Sequence, residues 1–349
     1  YLVDDDDWLL LRSHQDRNSI KIGHYLDGPS MDFHLPLAAF VQGRLLILGQ
    51  ERDAVLGVIT DLSQNLPRVA PDMKLHLMDG SGELSRNRFE KQELKRKCAL
   101  SFFWLTGEEM AALILGLPSH SEIFQISALA IQQALDATAS KVKQNSDVQT
   151  RFDVFISILK ELENGRHRLI AGGLETLRTQ QEFEFLFMDL LEQPNISEGG
   201  EVLDVIDFSS FSPKAASALL AARIRGLHRP DDGANTVVII DQLDRFELDR
   251  EKSAAAALLF DRVSRFGSAG ETAGLVISAA SASNEFCADN GLRFDHMMAL
   301  SGLHETEVYK VAASTAAPRY CADLLLALDD GAAVITGSEI TYPQRIRPT

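Results

Sequence analysis

The stretch RLLILGQERDAVLGVITDLSQNLPRVAPDMKLHLMDGSGE, from Arg44 to Glu83, decides the fold class. RLLILG (44–49) is a short apolar run ending in glycine, the pattern of a buried strand. In the residues that follow, Ala54, Val55, Val58, Ile59, Leu62 and Leu66 share one helical face. Pro67 and Pro71 are expected to close that helix, because proline lacks the backbone N–H a helix interior needs. KLHLMD (74–79) is a second apolar strand running into Asp79-Gly80-Ser81-Gly82-Glu83. Strand, turn, helix and strand at these short spacings begin a parallel α/β sheet.

The same grammar returns downstream. EVLDVIDFSSF (201–211) reads as a strand, KAASALLAARIRGLHR (214–229) as a helix and TVVIID (236–241) as a central strand. SAAAALLFDRVSRFG (253–267) is a helix; AGLVISAA (273–280), DHMMALSG (295–302) and GAAVITG (331–337) are strands; ETEVYKVAAS and YCADLLLAL are helices. Upstream, WLLLR and IKIGHYL within residues 8–26 read as short strands. Residues 105–190 differ. TGEEMAALILGL, EIFQISALAIQQALDATASKV, VQTRFDVFISILKELENG and EFEFLFMDLLE all carry helical period, and Thr106 with Glu109 forms a capping box ahead of the first. The expected organisation is a short β segment over 1–30, a mainly parallel, helix-flanked core over 31–104 and 200–349, and a helical insertion over 105–199.

Bulk properties bound the function. The 349 residues are 45% apolar and 24% charged, which is ordinary for a globular protein. No 18-residue apolar window free of charge predicts a membrane span. The chain starts at Tyr1 rather than Met, so a preceding segment is expected; no signal peptide is visible. Cys98, Cys287 and Cys321 are odd in number and far apart, which predicts a reducing, cytoplasmic setting and no disulfide framework. No Cys/His cluster has zinc-ligand spacing. The formal net charge of −16 repels nucleic acid from an open face but leaves room for a basic pore.

The order of pieces resembles a HerA-like ATPase of the FtsK–HerA superfamily, a RecA-like P-loop fold. IKIGHYLDG (20–28) resembles the lead from that family's N-terminal barrel into its core, so residues 1–30 would be a barrel remnant. RLLILG sits where the strand into the phosphate loop belongs, and MDGSGEL (78–84) resembles the family's Asp-Pro-His-Gly-Glu turn. VLDVIDFSSFSPKAASALLAARIRGL (202–227) resembles its strand, Asp-Leu-Ser and long helix. VVIIDQLDRF (237–246) stands at the acidic second nucleotide motif, and the stretch from RFGSAGETAGLVISAAS to DDGAAVITGSEITYPQRIRP resembles the C-terminal third. The resemblance implies a homo-oligomeric ring, most often a hexamer, with DNA in the channel and a nuclease or effector partner.

The nucleotide motifs are degenerate. A phosphate loop needs G-x-x-x-x-G-K-[ST]: glycines to let amides wrap the phosphates, lysine for their charge, a hydroxyl for Mg²⁺. Gly49 fits the first glycine, but the second is Ala54, the lysine is Val55 and the hydroxyl is Leu56, with Glu51 and Asp53 inside the loop. Losing the lysine removes about 1.5–3 kcal/mol of charge-assisted contact. A carboxylate about 4 Å from a phosphate charge costs roughly 4 kcal/mol at an effective dielectric of 20. The second motif ends in Asp241-Gln242 rather than Asp-Glu; Asp241 is a weak candidate for Mg²⁺ or a strand cap paired with Arg245, and Gln242 is a poor general base. The polar residue expected after the next strand is replaced by Ala279 or Ala280. No cofactor is therefore expected, ATP and Mg²⁺ being required only if a divergent site works.

Arg262 and Arg265 are candidates for an arginine reaching a neighbouring subunit, against the plainer reading of a helix end that suits its macrodipole. Arg86, Arg88, Lys91, Lys95, Arg96 and Lys97 are the candidate DNA contacts, against an ordinary exposed helix interleaved by Glu90 and Glu93. GRHR (165–168) is a weaker cluster of the same kind. Three functions stay open: a non-hydrolysing ring subunit that scaffolds or regulates a DNA-processing or anti-phage complex, an active DNA translocase with a divergent site, and a protein-interaction module without DNA.

Overall fold

The computed structural model describes residues 18–26, 31–87, 100–142, 146–161, 165–187, 203–227, 235–266, 273–281, 293–315, 318–338 and 340–349. Among them the strands are β1 (Ser19–Tyr25), β2 (Asp32–Pro36), β3 (Arg44–Leu48), β4 (Lys74–Asp79), β5 (Leu203–Asp207), β6 (Thr236–Asp241), β7 (Ala273–Ala279), β8 (His296–Leu300), β9 (Ala333–Gly337) and β10 (Ile340–Pro348). They make one sheet in the order β2-β1-β10-β9-β8-β3-β7-β6-β4-β5. From β8 to β5 every pairing is parallel, and the wing β8-β9-β10-β1-β2 is antiparallel. This is an α/β RecA-like architecture. IKIGHYL is part of this sheet: β1 pairs with β2 on one side and with β10, from the far end of the chain, on the other.

The central parallel strands β3, β6 and β7 read as nearly unbroken apolar runs because both of their faces are covered. In β3, alternation sends Leu46 and Leu48 into one core and Leu45 and Ile47 into the other, all 0–1% exposed. Helices follow in chain order: α1 (Ala38–Val41), α2 (Arg52–Val69), α3 (Glu83–Asn87), α4 (Gly107–Ile114), α5 (Glu122–Lys141), α6 (Val148–Glu161), α7 (Gly165–Thr179), α8 (Pro213–Leu227), α9 (Ala254–Arg265), α10 (Glu305–Ala313) and α11 (Pro318–Leu326). The second core is α2 on the sheet, through Val55, Leu56, Val58, Ile59, Leu62 and Leu66. The first core joins the opposite face to α8, α9 and the helical layer α4–α7. The helix α2 outruns Pro67 by one half-turn and ends at Val69, with Ala70 N–H closing on the Leu66 carbonyl at 2.9 Å. Proline in a last turn forfeits only its own bond, so the stop falls between Pro67 and Pro71.

The capping box is present as expected. Thr106 Oγ1 accepts from Glu109 N at 3.2 Å, and the Glu109 carboxylate accepts from Thr106 N at 2.9 Å. The segment 181–187 is a 3₁₀ helix rather than an α-helix. Its Phe183 and Phe187 are buried with Phe102 and Phe152, Phe102 stacking on Phe187 at 5.2 Å between ring centroids.

Candidate functional site

Ligands of parallel α/β sheets bind beyond the carboxyl ends of the strands. Here that edge carries a row of aspartates. Asp207, Asp79 and Asp241 stand at one register across β5, β4 and β6. Leu48 and Ala279, the last residues of β3 and β7, are likewise opposite each other. The loop Gly49–Glu51 leaves β3 at this edge, and the turn Gly80–Gly82 leaves β4 there.

The loop is too short for a phosphate cradle. Helix α2 starts at Arg52, three residues ahead of the lysine position, and Val55 N–H already bonds the Glu51 carbonyl at 3.2 Å. Val55 and Leu56, at the lysine and hydroxyl positions, are 3% and 5% exposed and belong to the core. A Cβ on Gly49 would meet Val55 Cγ2 and Leu300 Cδ1, each at 2.8 Å, so apolar side chains fill the space where amides would wrap an anion. Glu51 and Asp53 are exposed.

Arg52 is the residue the loop brings to the chemistry. Its Nη1 donates to Asp241 Oδ1 at 2.8 Å, its Nη2 to Asp241 Oδ2 at 2.5 Å and to Ser81 Oγ at 2.9 Å, and its Nε to Glu83 Oε2 at 2.5 Å. The pairing with Asp241 is the forked geometry that guanidinium and carboxylate share. Asp241 is fully buried and Arg52 about one-fifth exposed. Burial works against the guanidinium charge, but the hydrogen bond and charge of Asp241, and then of Glu83, outweigh it and hold the Arg52 pKa above its ordinary value.

Asp241 is held from the other side by Ser278 on β7, whose hydroxyl donates to Oδ1 at 2.7 Å. The Ser278 oxygen in turn accepts from Gln242 N–H at 2.8 Å. Gln242 has φ 53° and ψ 65°, the left-handed region, which a non-glycine residue enters at a cost. Its side-chain carbonyl accepts from Arg245 Nε at 3.2 Å. Asp79, also buried, collects donors from its own turn: Ser81 N at 3.1 Å, Gly82 N at 2.8 Å, and Ser85 N and Oγ each at 2.8 Å. Gly82, at φ 74°, supplies the positive φ that closes this turn. Burial pushes the Asp79 carboxyl up, against the pull of the Ser85 bonds.

Two expectations change. Asp241 pairs with Arg52, 189 positions earlier, and not with its neighbour Arg245. The polar group on the strand next to β6 is present as Ser278, one residue before the alanines at 279 and 280, because the inward face of β7 falls on 278. Sequence reasoning misses Arg52; the available signal is a cation standing between the carboxylates of Glu51 and Asp53.

The remaining candidates lie elsewhere. Arg262 and Arg265 close α9 at the amino edge of the sheet, near Arg44, which donates to the Ser264 and Phe266 carbonyls at 2.6 and 2.9 Å. Both approach Asp261, at 3.5 and 2.6 Å. Arg86 lies in α3; Arg88, Lys91, Lys95, Arg96 and Lys97 lie outside the described residues. Among the described residues no group of three or more His, Cys, Asp and Glu side chains is placed to hold a metal, and no helix is long and apolar enough to cross a membrane. The Mg²⁺ and nucleotide that this fold type implies do not fit the residues present: the loop has no room, and a guanidinium occupies the acidic motif.

No protein-family model matches the sequence, and no curated protein matches it. Solved structures do. VirB4 of Thermoanaerobacter pseudethanolicus superposes with a TM-score of 0.67 at 13% identity, covering 96% of this chain and 97% of that one. The bacterial conjugative coupling protein TrwBdeltaN70, in its trigonal form in complex with sulphate, gives 0.60 at 13% identity over 98% and 92%. Its unbound monoclinic form gives 0.59. At these identities the likeness is one of fold: the chain shares the RecA-like α/β fold of these two proteins over nearly its whole length.

Proposed function

We propose that this chain is a HerA-like, ring-forming subunit of translocase type that neither binds nor hydrolyses ATP, and that it scaffolds or regulates a DNA-processing or anti-phage defence complex in the cytoplasm. The ring would be homo-oligomeric, a hexamer by resemblance, with DNA in its channel and a nuclease or effector as partner. The observation that carries this reading is the Arg52 guanidinium seated on Asp241. A triphosphate arriving at this edge would meet carboxylates already neutralised from within, a three-residue loop without a lysine, and the exposed carboxylates of Glu51 and Asp53 nearby in the sequence. Each such carboxylate at about 4 Å opposes a phosphate charge by on the order of 4 kcal/mol at an effective dielectric of 20. An active translocase with a divergent site would need this cluster taken apart before every turnover.

Calorimetry of the purified, nucleotide-stripped protein with millimolar Mg·ATP is expected to give no binding heat while the protein stays folded. Micromolar binding would overturn the reading.

A second reading, a protein-interaction module without DNA, is favoured by the net charge of −16. Neutral contacts cannot offset that repulsion; clustered Lys and Arg can. Under the ring reading the protein retains duplex DNA at low salt, and neutralising Arg86, Arg88, Lys95 and Lys97 together abolishes retention. Absence of retention in the unaltered protein selects the interaction module, and retention that survives the four changes removes these residues as the DNA contacts.

A further inference from the structure

We infer that Arg52 is a built-in cation that latches the carboxyl edge of the sheet, so that the conformation of this edge is set by the chain and not by a ligand. The inference rests on the reading that no nucleotide binds here, and goes beyond it by assigning what replaces the nucleotide.

The guanidinium touches four oxygens: both carboxylate oxygens of Asp241 at the end of β6, and Ser81 Oγ and Glu83 Oε2 in the turn after β4, from its own place at the start of α2. Ser278 extends the cluster to β7. Arg52 therefore ties the start of α2, the end of β6 and the turn after β4 through one side chain, with β7 joined through Asp241. An all-oxygen set with two carboxylates and a hydroxyl is what a hard divalent cation takes, with water completing its shell. The arginine supplies a single positive charge with fixed fork geometry in that place, and it cannot dissociate or be diluted away. The left-handed backbone at Gln242 belongs to the same arrangement: its N–H is held by the Ser278 hydroxyl that also holds Asp241. The Glu83 side chain is 42% exposed and that of Asp241 0%. Solvent screening leaves Glu83 to add direction more than strength, whereas Asp241 is the member that needs a cation.

Removing the arginine should turn the latch into a cation-dependent one. The test compares the unaltered chain with Arg52→Ala, each without and with millimolar Mn²⁺ or Mg²⁺ as the metal alone, by thermal melting and by amide hydrogen exchange over residues 49–56, 79–85 and 241–246. The unaltered chain is expected to melt at one temperature and to exchange at one rate in all conditions. Arg52→Ala is expected to melt roughly 5–10 °C lower and to lose protection in those three segments, and the metal is expected to restore both. Adding Asp241→Asn to Arg52→Ala should abolish the restoration. An Arg52→Ala protein that melts with the unaltered one, that gains nothing from metal, or whose gain survives Asp241→Asn overturns the latch. Where Arg52→Ala does not fold by itself, refolding with and without Mn²⁺ replaces the melt: folded protein only with the metal supports the latch, and failure in both conditions overturns it. Binding of Mg·ATP by the unaltered chain would instead sink the nucleotide-free reading, so the two failures are distinct.

Discussion

Gly274→Ala is expected to lose about 4–5 kcal/mol of stability, the range reserved for a few named mechanisms, and to melt more than roughly 10 °C below the parent if it folds. Gly274 is the second residue of β7, and its missing side chain is the seat of another backbone. A Cβ built there would overlap the Phe40 carbonyl oxygen and lie 2.5 Å from Phe40 C and 3.0 Å from Val41 Cα. Such clashes are cheap only when the obstacle is the tip of a flexible side chain. Here it is the main chain of α1, whose Phe40 is completely buried and whose exit is pinned by Leu275 N–H donating to the Gly43 carbonyl at 3.0 Å. Relief requires α1 or β7 to move, and β7 is paired on both sides, to β3 and β6. Gly226→Ala, inside α8 with nothing within 4 Å of its Cβ, is the matched control. It is expected to gain about 0.5–1 kcal/mol through lost chain entropy alone. Melting curves of the two variants test the seat directly: similar curves would mean that α1 does not press on β7.

Gly274 also shows which features a local reading reaches. AGLVISAA reads correctly as a buried strand, because apolar runs bounded by turn residues carry that signal whatever lies beside them. Nothing in the run says that a helix from residues 38–41 crosses it. The parallel core was legible for the same local reason: RLLILG, KLHLMD and TVVIID each hold their pattern within six residues. The partnership of β1 with β10 was not, since it joins opposite ends of the chain through backbone bonds that leave no mark on either sequence. Thr106 and Glu109 were legible because a capping box is a device of one helical turn. EFEFLF carries helical period and is helical, but its 3₁₀ winding is set by where Phe187 packs on Phe102 and Phe152 and Phe183 on Phe211, contacts that local spacing does not show.

The candidate site divides along the same line. At the lysine, hydroxyl and glutamate positions of the nucleotide motifs the sequence holds Val55, Leu56 and Gln242. Arg52 carries no motif signal, because a phosphate-loop pattern leaves that position free. A degenerate motif was therefore visible as a loss, while its replacement was invisible: the partners of Arg52 lie 29, 31 and 189 positions away, and only the sheet register brings them to one point.

The second large effect is expected at the seam between the helical layer and the sheet. Arg225, near the end of α8, donates through Nε to Glu109 Oε1 at 2.7 Å and through Nη2 to Glu109 Oε2 at 2.9 Å and to the Trp104 carbonyl at 2.5 Å. The Glu109 side chain is 1% exposed and that of Arg225 about one-third, so the carboxylate is the partner that suffers from separation. The hydrogen bond to Glu109, opposed by burial, raises the Arg225 pKa, so the guanidinium stays charged at any working pH. Arg225→Ala leaves Glu109 with the Thr106 N–H as its remaining donor among the described residues, and it gives the exposed Trp104 carbonyl to water. Breaking a buried pair from one side costs about 3–5 kcal/mol. The same rule predicts partial recovery when the charge is removed from both sides. Arg225→Ala combined with Glu109→Gln keeps an acceptor for Thr106 N–H without a buried charge, and should regain about half of the loss or more. Denaturant melts of the two single variants, the double and the parent close the cycle. A double variant as unstable as the sum of the singles would show that Glu109 and Arg225 act on α4 and α8 separately, and that packing of the apolar faces, not this pair, fixes the helical layer on the sheet.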